Sequence, residues 1–180
     1  KISQGFKKKF PKVAITPKGY DFSENNKLPF KINSSENVII FFPGSTIGNF
    51  EKKDAVKFLK MLKSKFKAKK IIIGTDLVKD IPTLISAYDD KKGVTAKFNK
   101  NILQRINTEL GGDINLNSYK HLAIYNKPKK RIEMRLKSNK NNNIKINGSE
   151  YFIKKNEEIH TENSHKYSIK SFKHLANEAG

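Results

Sequence analysis

Three short stretches combine residue types able to hold a polar ligand. Tyr20-Asp21-Phe22 sets a carboxylate between two rings, a combination that could bind and cover a planar heterocycle. Pro43-Gly44-Ser45-Thr46-Ile47-Gly48-Asn49 lets the backbone approach a ligand closely at Gly44 and Gly48, and it ends on an amide. Thr75-Asp76 follows the next apolar run. Each has a plainer use: Asn49 could cap the helix that follows it, and Asp21 could serve a turn. Tyr88 and Met134 read equally well as core filling, and Thr161-Glu162-Asn163-Ser164 in isolation is a polar loop. His121, His160, His165 and His174 show no metal-ligand spacing, so no metal is expected. The chain has no cysteine, which excludes a disulfide scaffold, a thiolate metal site and a cysteine nucleophile. It also carries neither a P-loop nor a GxSxG elbow.

The elements that would position these residues follow from hydrophobic periodicity. Residues 38–42 (Val-Ile-Ile-Phe-Phe) form a continuous apolar run suited to a strand buried on both faces, and Pro43-Gly44 ends it. Across residues 51–66 the apolar positions Ala55, Phe58, Leu59, Leu62 and Phe66 keep the spacing of an amphipathic helix. Ile71-Ile72-Ile73-Gly74 repeats the strand signature. Strand, helix and strand within about 40 residues predict a βαβ unit with a parallel pair. In open α/β sheets ligands bind beyond the carboxyl ends of the strands, which is why the loops draw attention.

After Asp76 the pattern changes. A helix is expected over residues 94–110, with the apolar Val94, Phe98, Ile102 and Ile106 on one side and Gly111-Gly112 as its stop. Short β-like segments at 121–125, 131–136, 143–146 and 151–154 predict a smaller antiparallel element, with residues 139–143 as a hairpin tip. Over residues 131–136, Ile132, Met134 and Leu136 alternate with Arg131, Glu133 and Arg135, which predicts one covered face and one wet face. Residues 168–179 return to helix, with Ser168 as its N-cap.

A formal charge of +20 over 180 residues invites a nucleic-acid reading. The lysines are scattered, however, and Arg105, Arg131 and Arg135 are the only arginines, the residue favoured for bidentate phosphate contacts. The charge is therefore read as solvated surface, with nucleic acid not expected as a partner. No apolar run approaches the roughly 20 residues of a membrane span, and the first residues carry no signal-peptide core, so a soluble, cytoplasmic chain without membrane association is expected.

Six motifs then stand in a familiar order: Phe42 to Asn49, Thr75-Asp76-Leu77-Val78-Lys79-Asp80, Ala87-Tyr88-Asp89-Asp90, Gly93-Val94-Thr95-Ala96 with Phe98-Asn99, Arg131-Ile132-Glu133-Met134, and Thr161-Glu162-Asn163-Ser164. Together they resemble the S-adenosyl-L-methionine (SAM)-dependent histidine Nα-methyltransferase family of ergothioneine biosynthesis, over nearly the whole chain. The resemblance implies an α/β fold: part of a class I, Rossmann-like methyltransferase sheet with an inserted α+β substrate-binding lobe. The implied division is 1–76 and 167–180 for the methyltransferase part and 77–166 for the lobe. SAM is the implied cofactor and histidine the implied small-molecule substrate, with the sulfonium methyl passed to the α-amine repeatedly to give the trimethylated betaine.

By resemblance, Asp21 and Phe22 correspond to the pair at the adenine end of the cofactor. Asn49 and Tyr88 are similar to residues holding the amino and carboxylate end of the substrate, and Gly44 is grouped with them. Glu162 and Ser164 resemble the imidazole readers, and Met134 a pocket-lining residue beside the ring. No residue is assigned as a catalytic acid, base or nucleophile. The family's glycine-rich SAM loop and ribose-binding acid have no counterpart in residues 1–11, so this segment alone is expected to be inactive. Two rivals stand beside this reading: the same fold methylating another amino-acid amine, and a basic, non-enzymatic nucleic-acid-binding domain. Glu162 with Ser164 weighs against an indole-bearing substrate, because an indole offers one N–H and no acceptor.

Overall fold

Four β-formers in a row, Ile39–Phe42, make strand β1, and Lys70–Ile73 makes β2 beside it. A computed structural model describes residues 2–21, 28–32 and 37–180, and Phe22 lies outside them. The two strands pair in parallel, with Ile40 opposite Ile71 and Phe42 opposite Ile73, as the βαβ reading predicts. Helix α1 (Ile2–Lys9) precedes them, and α2 (Lys52–Lys65) makes the crossover that parallel strands require. Its inner residues Ala55, Phe58 and Leu62 are buried against Ile40, Phe42 and Ile73. The N-cap of α2 is Glu51; Asn49 instead ends a 3-10 turn, Thr46–Asn49, so it does not cap α2.

Between Asp76 and Tyr167 the chain builds a second set of elements: α3 (Ile81–Tyr88), α4 (Val94–Leu110), β3 (Tyr119–Asn126), β4 (Arg131–Ser138), β5 (Asn142–Ile146), β6 (Ser149–Ile153) and β7 (Glu158–His165). These strands make two antiparallel sheets where one element was expected: β3-β4-β7, and the separate hairpin β5-β6. Residues 139–143 are therefore the crossing between sheets and the start of β5, not a hairpin tip. The hairpin turn falls at Asn147-Gly148, with φ of 48° and 78°, the left-handed pair that tight β-turns demand. The last helix, α5 (Ile169–Glu178), starts at Ser168, whose hydroxyl accepts from the Ser171 N–H at 3.0 Å. Leu175 of α5 joins the α2 core.

Two further expectations fail for physical reasons. The row Val94, Phe98 and Ile102 of α4 is exposed, at 63%, 65% and 44%. The helix turns Asn99 and Leu103 inward instead, because the Asn99 amide donates to the Arg135 carbonyl at 3.1 Å and pairs with His121 at 2.9 Å. Residues 161–164 are not a loop but part of β7, whose polar residues pair with the apolar positions of β4. Helix α3, absent from the periodicity reading, has a legible start: the Asp80 carboxylate accepts from the Thr83 N–H at 2.9 Å, and a proline stands in the first turn.

The chain enters and leaves this second set at one place. The Val78 N–H donates to the Tyr167 carbonyl at 3.0 Å, and the Tyr167 N–H donates to the Asp76 carbonyl at 2.9 Å. Among the described residues, no helix is long and apolar enough to cross a membrane. The 3-10 turn meets β7 so closely that a Cβ on Gly48 would stand 2.9 Å from the His165 carbonyl oxygen. Gly48→Ala is therefore expected to destabilise the protein by about 1–3 kcal/mol in a denaturant-unfolding experiment; an unchanged midpoint contradicts the close approach.

Candidate functional site

Strand register assembles the site. Ile132 stands opposite Ser164 and Met134 opposite Glu162, and residues directly opposite in an antiparallel pair share a face. Two residues past Ser164, Lys166 faces the same way. A register shift between Met134 and Arg135 leaves Thr161 as the extra residue of a bulge on β7. Its hydroxyl donates to the Met134 carbonyl at 2.9 Å, which holds the bulge in place just before Glu162. Helix α3 covers this face, with Leu84 packed on Ile132 and Met134, and Tyr88 and Ile85 beside them. Four of the residues singled out in the sequence, Tyr88, Met134, Glu162 and Ser164, are thus brought together by α3, β4 and β7.

Their polar atoms form one network. The hydroxyls of Tyr88 and Ser164 are 2.7 Å apart. The Lys166 ammonium donates to both, at 2.8 Å each, and pairs with the Asp76 carboxylate at 2.9 Å. Burial opposes ionisation of Asp76, but hydrogen bonds from Lys166 and Lys79 hold its carboxyl below the usual range. The Tyr88 backbone is fixed too: Asn99 donates to Nδ1 of His121, so Nε2 carries the proton and donates to the Tyr88 carbonyl at 2.8 Å. His121 and Lys166 were not singled out in the sequence. Read as a strand, Glu162-x-Ser164-x-Lys166 has the period-two signal that would have found the lysine.

Glu162 stands apart from this network. Its carboxylate accepts no hydrogen bond from any described residue, although the side chain is half-buried. Burial pushes its carboxyl above the usual range, and the Lys166 charge only partly offsets this. A partly desolvated carboxylate with no donor has free acceptor capacity, the chemistry an N–H-bearing ligand would match.

The loops at the carboxyl ends of β1 and β2 lie beside this face. The Ser45 hydroxyl accepts from the Asp76 N–H at 2.7 Å, and Gly44 holds φ of 88°. Nδ1 of His165 donates to the Gly48 carbonyl at 3.0 Å, which draws the turn ending in Asn49 to the end of β7; Asn49 itself is exposed. Asp21 is placed elsewhere. Its neighbour Tyr20 lies edge-on against Phe66 and accepts from Lys65 at 3.2 Å, at the far end of α2 from Glu51. A 14-residue helix is about 21 Å long, so Asp21 and the 43–49 loop sit at opposite ends of it. The described residues bring loop backbone to the carboxyl edge. Among the described residues, no cluster suited to a metal ion occurs.

The opposite face of β4 corrects the expectation of a wet surface. Arg131 and Glu133 are 4% and 3% exposed. Glu133 pairs with Arg131 and Arg135, Arg131 also pairs with Glu51, and Arg135 with Glu158 at 2.9 Å. Glu51 comes from the start of α2, which is how charges on β4 become covered. Its carboxyl is held low by the hydrogen bond from Arg131. Burial alone would raise Glu133, but hydrogen bonds from Arg135, Arg131 and Asn126 outweigh it and hold the carboxyl down at about 2. In the unfolded chain the same group titrates near 4.5, so its contribution is present above that pH and is lost as pH falls toward 2. Glu133→Gln is accordingly expected to flatten the decline in stability between those pH values in acid titrations of the unfolding midpoint. An acid limb as steep as in the unsubstituted protein contradicts the assignment.

Comparison with known proteins places this arrangement in context. The family described as histidine-specific, SAM-dependent methyltransferase matches residues 1–180. Histidine N-alpha-methyltransferase of Mycolicibacterium smegmatis is 36% identical over 139 residues, covering 76% of this chain and 42% of the relative. The protein of that name from Mycobacterium tuberculosis is 39% identical over 109 residues, covering 60% of this chain and 34% of the relative. Ergothioneine biosynthesis protein 1 of Schizosaccharomyces pombe is 29% identical over 98 residues, covering 53% of this chain and 13% of the relative. The chain spans less than half the length of these relatives. With a match over all its residues, the chain belongs to the family of SAM-dependent, histidine-specific methyltransferases.

Proposed function

We propose that this chain is the substrate-reading part of an enzyme that methylates the α-amine of L-histidine with SAM, through successive transfers to the trimethylated betaine. The observation that carries the reading is the unpartnered, half-buried Glu162 carboxylate two residues from the buried Ser164 hydroxyl on one strand face. A carboxylate and a hydroxyl so placed can engage both nitrogens of an imidazole, and they disfavour rings that leave either group unpaired. Family membership and the printed names of the relatives support histidine as the substrate.

SAM supplies a methyl group on a sulfonium. The α-amine must present its lone pair along the back of that S–C bond, so the protein contributes orientation above all. Glu162 and Ser164 hold the ring, Met134 lies in register beside Glu162 and lines the pocket, and Tyr88 with the turn residues Gly44 and Asn49 orients the amino-acid end. The amine proton leaves to solvent or a tyrosine, and no strong base is needed. We assign residues 77–166 to an inserted lobe and 1–76 with 167–180 to a Rossmann-like methyltransferase part. The adjacent crossings at Val78 and Tyr167 support that division.

Glu162→Ala in the full-length gene product should raise the histidine KM by roughly 10- to 100-fold, the cost of leaving a ring N–H without an acceptor, while the SAM Kd stays within about twofold. Equal losses in both constants contradict the role. Because burial raises the Glu162 carboxyl above 4.5, histidine affinity in the unsubstituted protein should begin to fall at a pH above that value on acidification.

A further inference from the structure

Lys166 is the most deeply buried charge near the proposed site, with its side chain 0% exposed. An ammonium has three donors, and all three are used: toward Asp76 at 2.9 Å, the Tyr88 hydroxyl at 2.8 Å and the Ser164 hydroxyl at 2.8 Å. Its nitrogen also lies 4.4 Å from the Tyr88 ring centre. We propose that Lys166 is a positioning residue that fixes the donor–acceptor sense of the Tyr88–Ser164 pair, so that Ser164 can only donate toward the ligand and the site takes a neutral imidazole in one tautomer. This rests on the function proposed above and deepens it.

Proton counting carries the argument. Two hydroxyls bring two protons, and their 2.7 Å contact uses one. Lys166 fills one lone pair on each oxygen. Whichever hydroxyl accepts from the other then has both lone pairs filled and one proton left over. A phenol is a stronger donor than an aliphatic alcohol, so Tyr88 donates to Ser164. Ser164 is left with a proton and no lone pair to offer. Ionised Glu162, on the same face, can only accept. A ligand that satisfies both presents one lone-pair nitrogen and one N–H, as a neutral imidazole does. An imidazolium would set its second N–H against the Ser164 proton.

The test is histidine binding by the full-length gene product, measured by calorimetry with the demethylated cofactor present, at pH 5.5 and pH 7.5. With a ring pKa near 6.5, affinity is expected to be about tenfold lower at the acid pH. Lys166→Met frees a lone pair on Ser164, so affinity at pH 7.5 should drop roughly tenfold; compared within a Glu162→Gln background, where loss of the Lys166 charge no longer shifts the Glu162 carboxyl, the ratio between the two pH values should shrink. Ser164→Ala removes the outward proton and should shrink the ratio in the same way, a second route if Lys166→Met fails to fold. A purely structural lysine would lower affinity equally at both pH values. An unchanged ratio in a folded variant overturns the proposal alone; absence of histidine binding by the unsubstituted protein overturns the function reading and the proposal with it.

Discussion

One buried ammonium links the parts of this chain that would otherwise be separate. Lys166 sits at the end of β7, yet its partners come from the loop after β2 (Asp76), from the last residue of α3 (Tyr88) and from its own strand (Ser164). A charge taken out of water is tolerable only when its donors are satisfied, and breaking such a set leaves an uncompensated ion. The positions of α3, β7 and the Asp76 loop are thereby made mutually dependent. The backbone repeats the tie, since Tyr167 bonds to Asp76 and Val78 immediately beside it.

The two faces of the β3-β4-β7 sheet divide the work. One face carries Met134, Glu162 and Ser164 under α3. The other carries Arg131 and Glu133, covered by Glu51 from the start of α2. Strand β4 thus runs between an ion-pair cluster that fastens it to α2 and a face carrying the Glu162 carboxylate, which has no hydrogen-bond donor among the described residues. Neither cluster needs to stabilise the fold strongly to matter. A buried charged set is weak as a source of net stability, but it admits few alternative arrangements. In a site that works by orientation, that restriction is the useful property.

How much of this could be read in the sequence follows from what periodicity encodes. The β1-α2-β2 unit and the limits of α4 were legible, because apolar runs and i, i+3, i+4 spacing report element type; the burial on both faces expected of the strands is not found, since Ile39, Phe41 and Ile72 are exposed and only the face toward α2 is covered. The inner face of α4 was not legible, because Asn99 turns inward only to meet His121 and the Arg135 carbonyl, partners 22 and 36 residues away. Strand β7 was hidden for a related reason: its residues 160–165 are polar on both faces, and they are held as a strand by pairing with β4. The wet face expected of β4 became a covered one through Glu51, 80 residues earlier in the chain. Tyr88, Met134, Glu162 and Ser164 were identifiable by resemblance and converge in space. Lys166, which holds Tyr88 and Ser164, is legible only once residues 162–166 are read as a strand, and His121, which holds the Tyr88 carbonyl, acts through contacts that leave no motif.

The central claim is that Glu162 and Ser164 face an imidazole and present to it one acceptor and one donor. Nitrogen-15 NMR of ring-labelled histidine bound to the full-length gene product, with the demethylated cofactor present at pH 7.5, reads this directly. The account predicts two well-separated ring-nitrogen signals, one protonated and one lone-pair nitrogen, with a single tautomer held in the bound state. Two equivalent protonated nitrogens, or shifts that keep the tautomer mixture of free histidine, would contradict it.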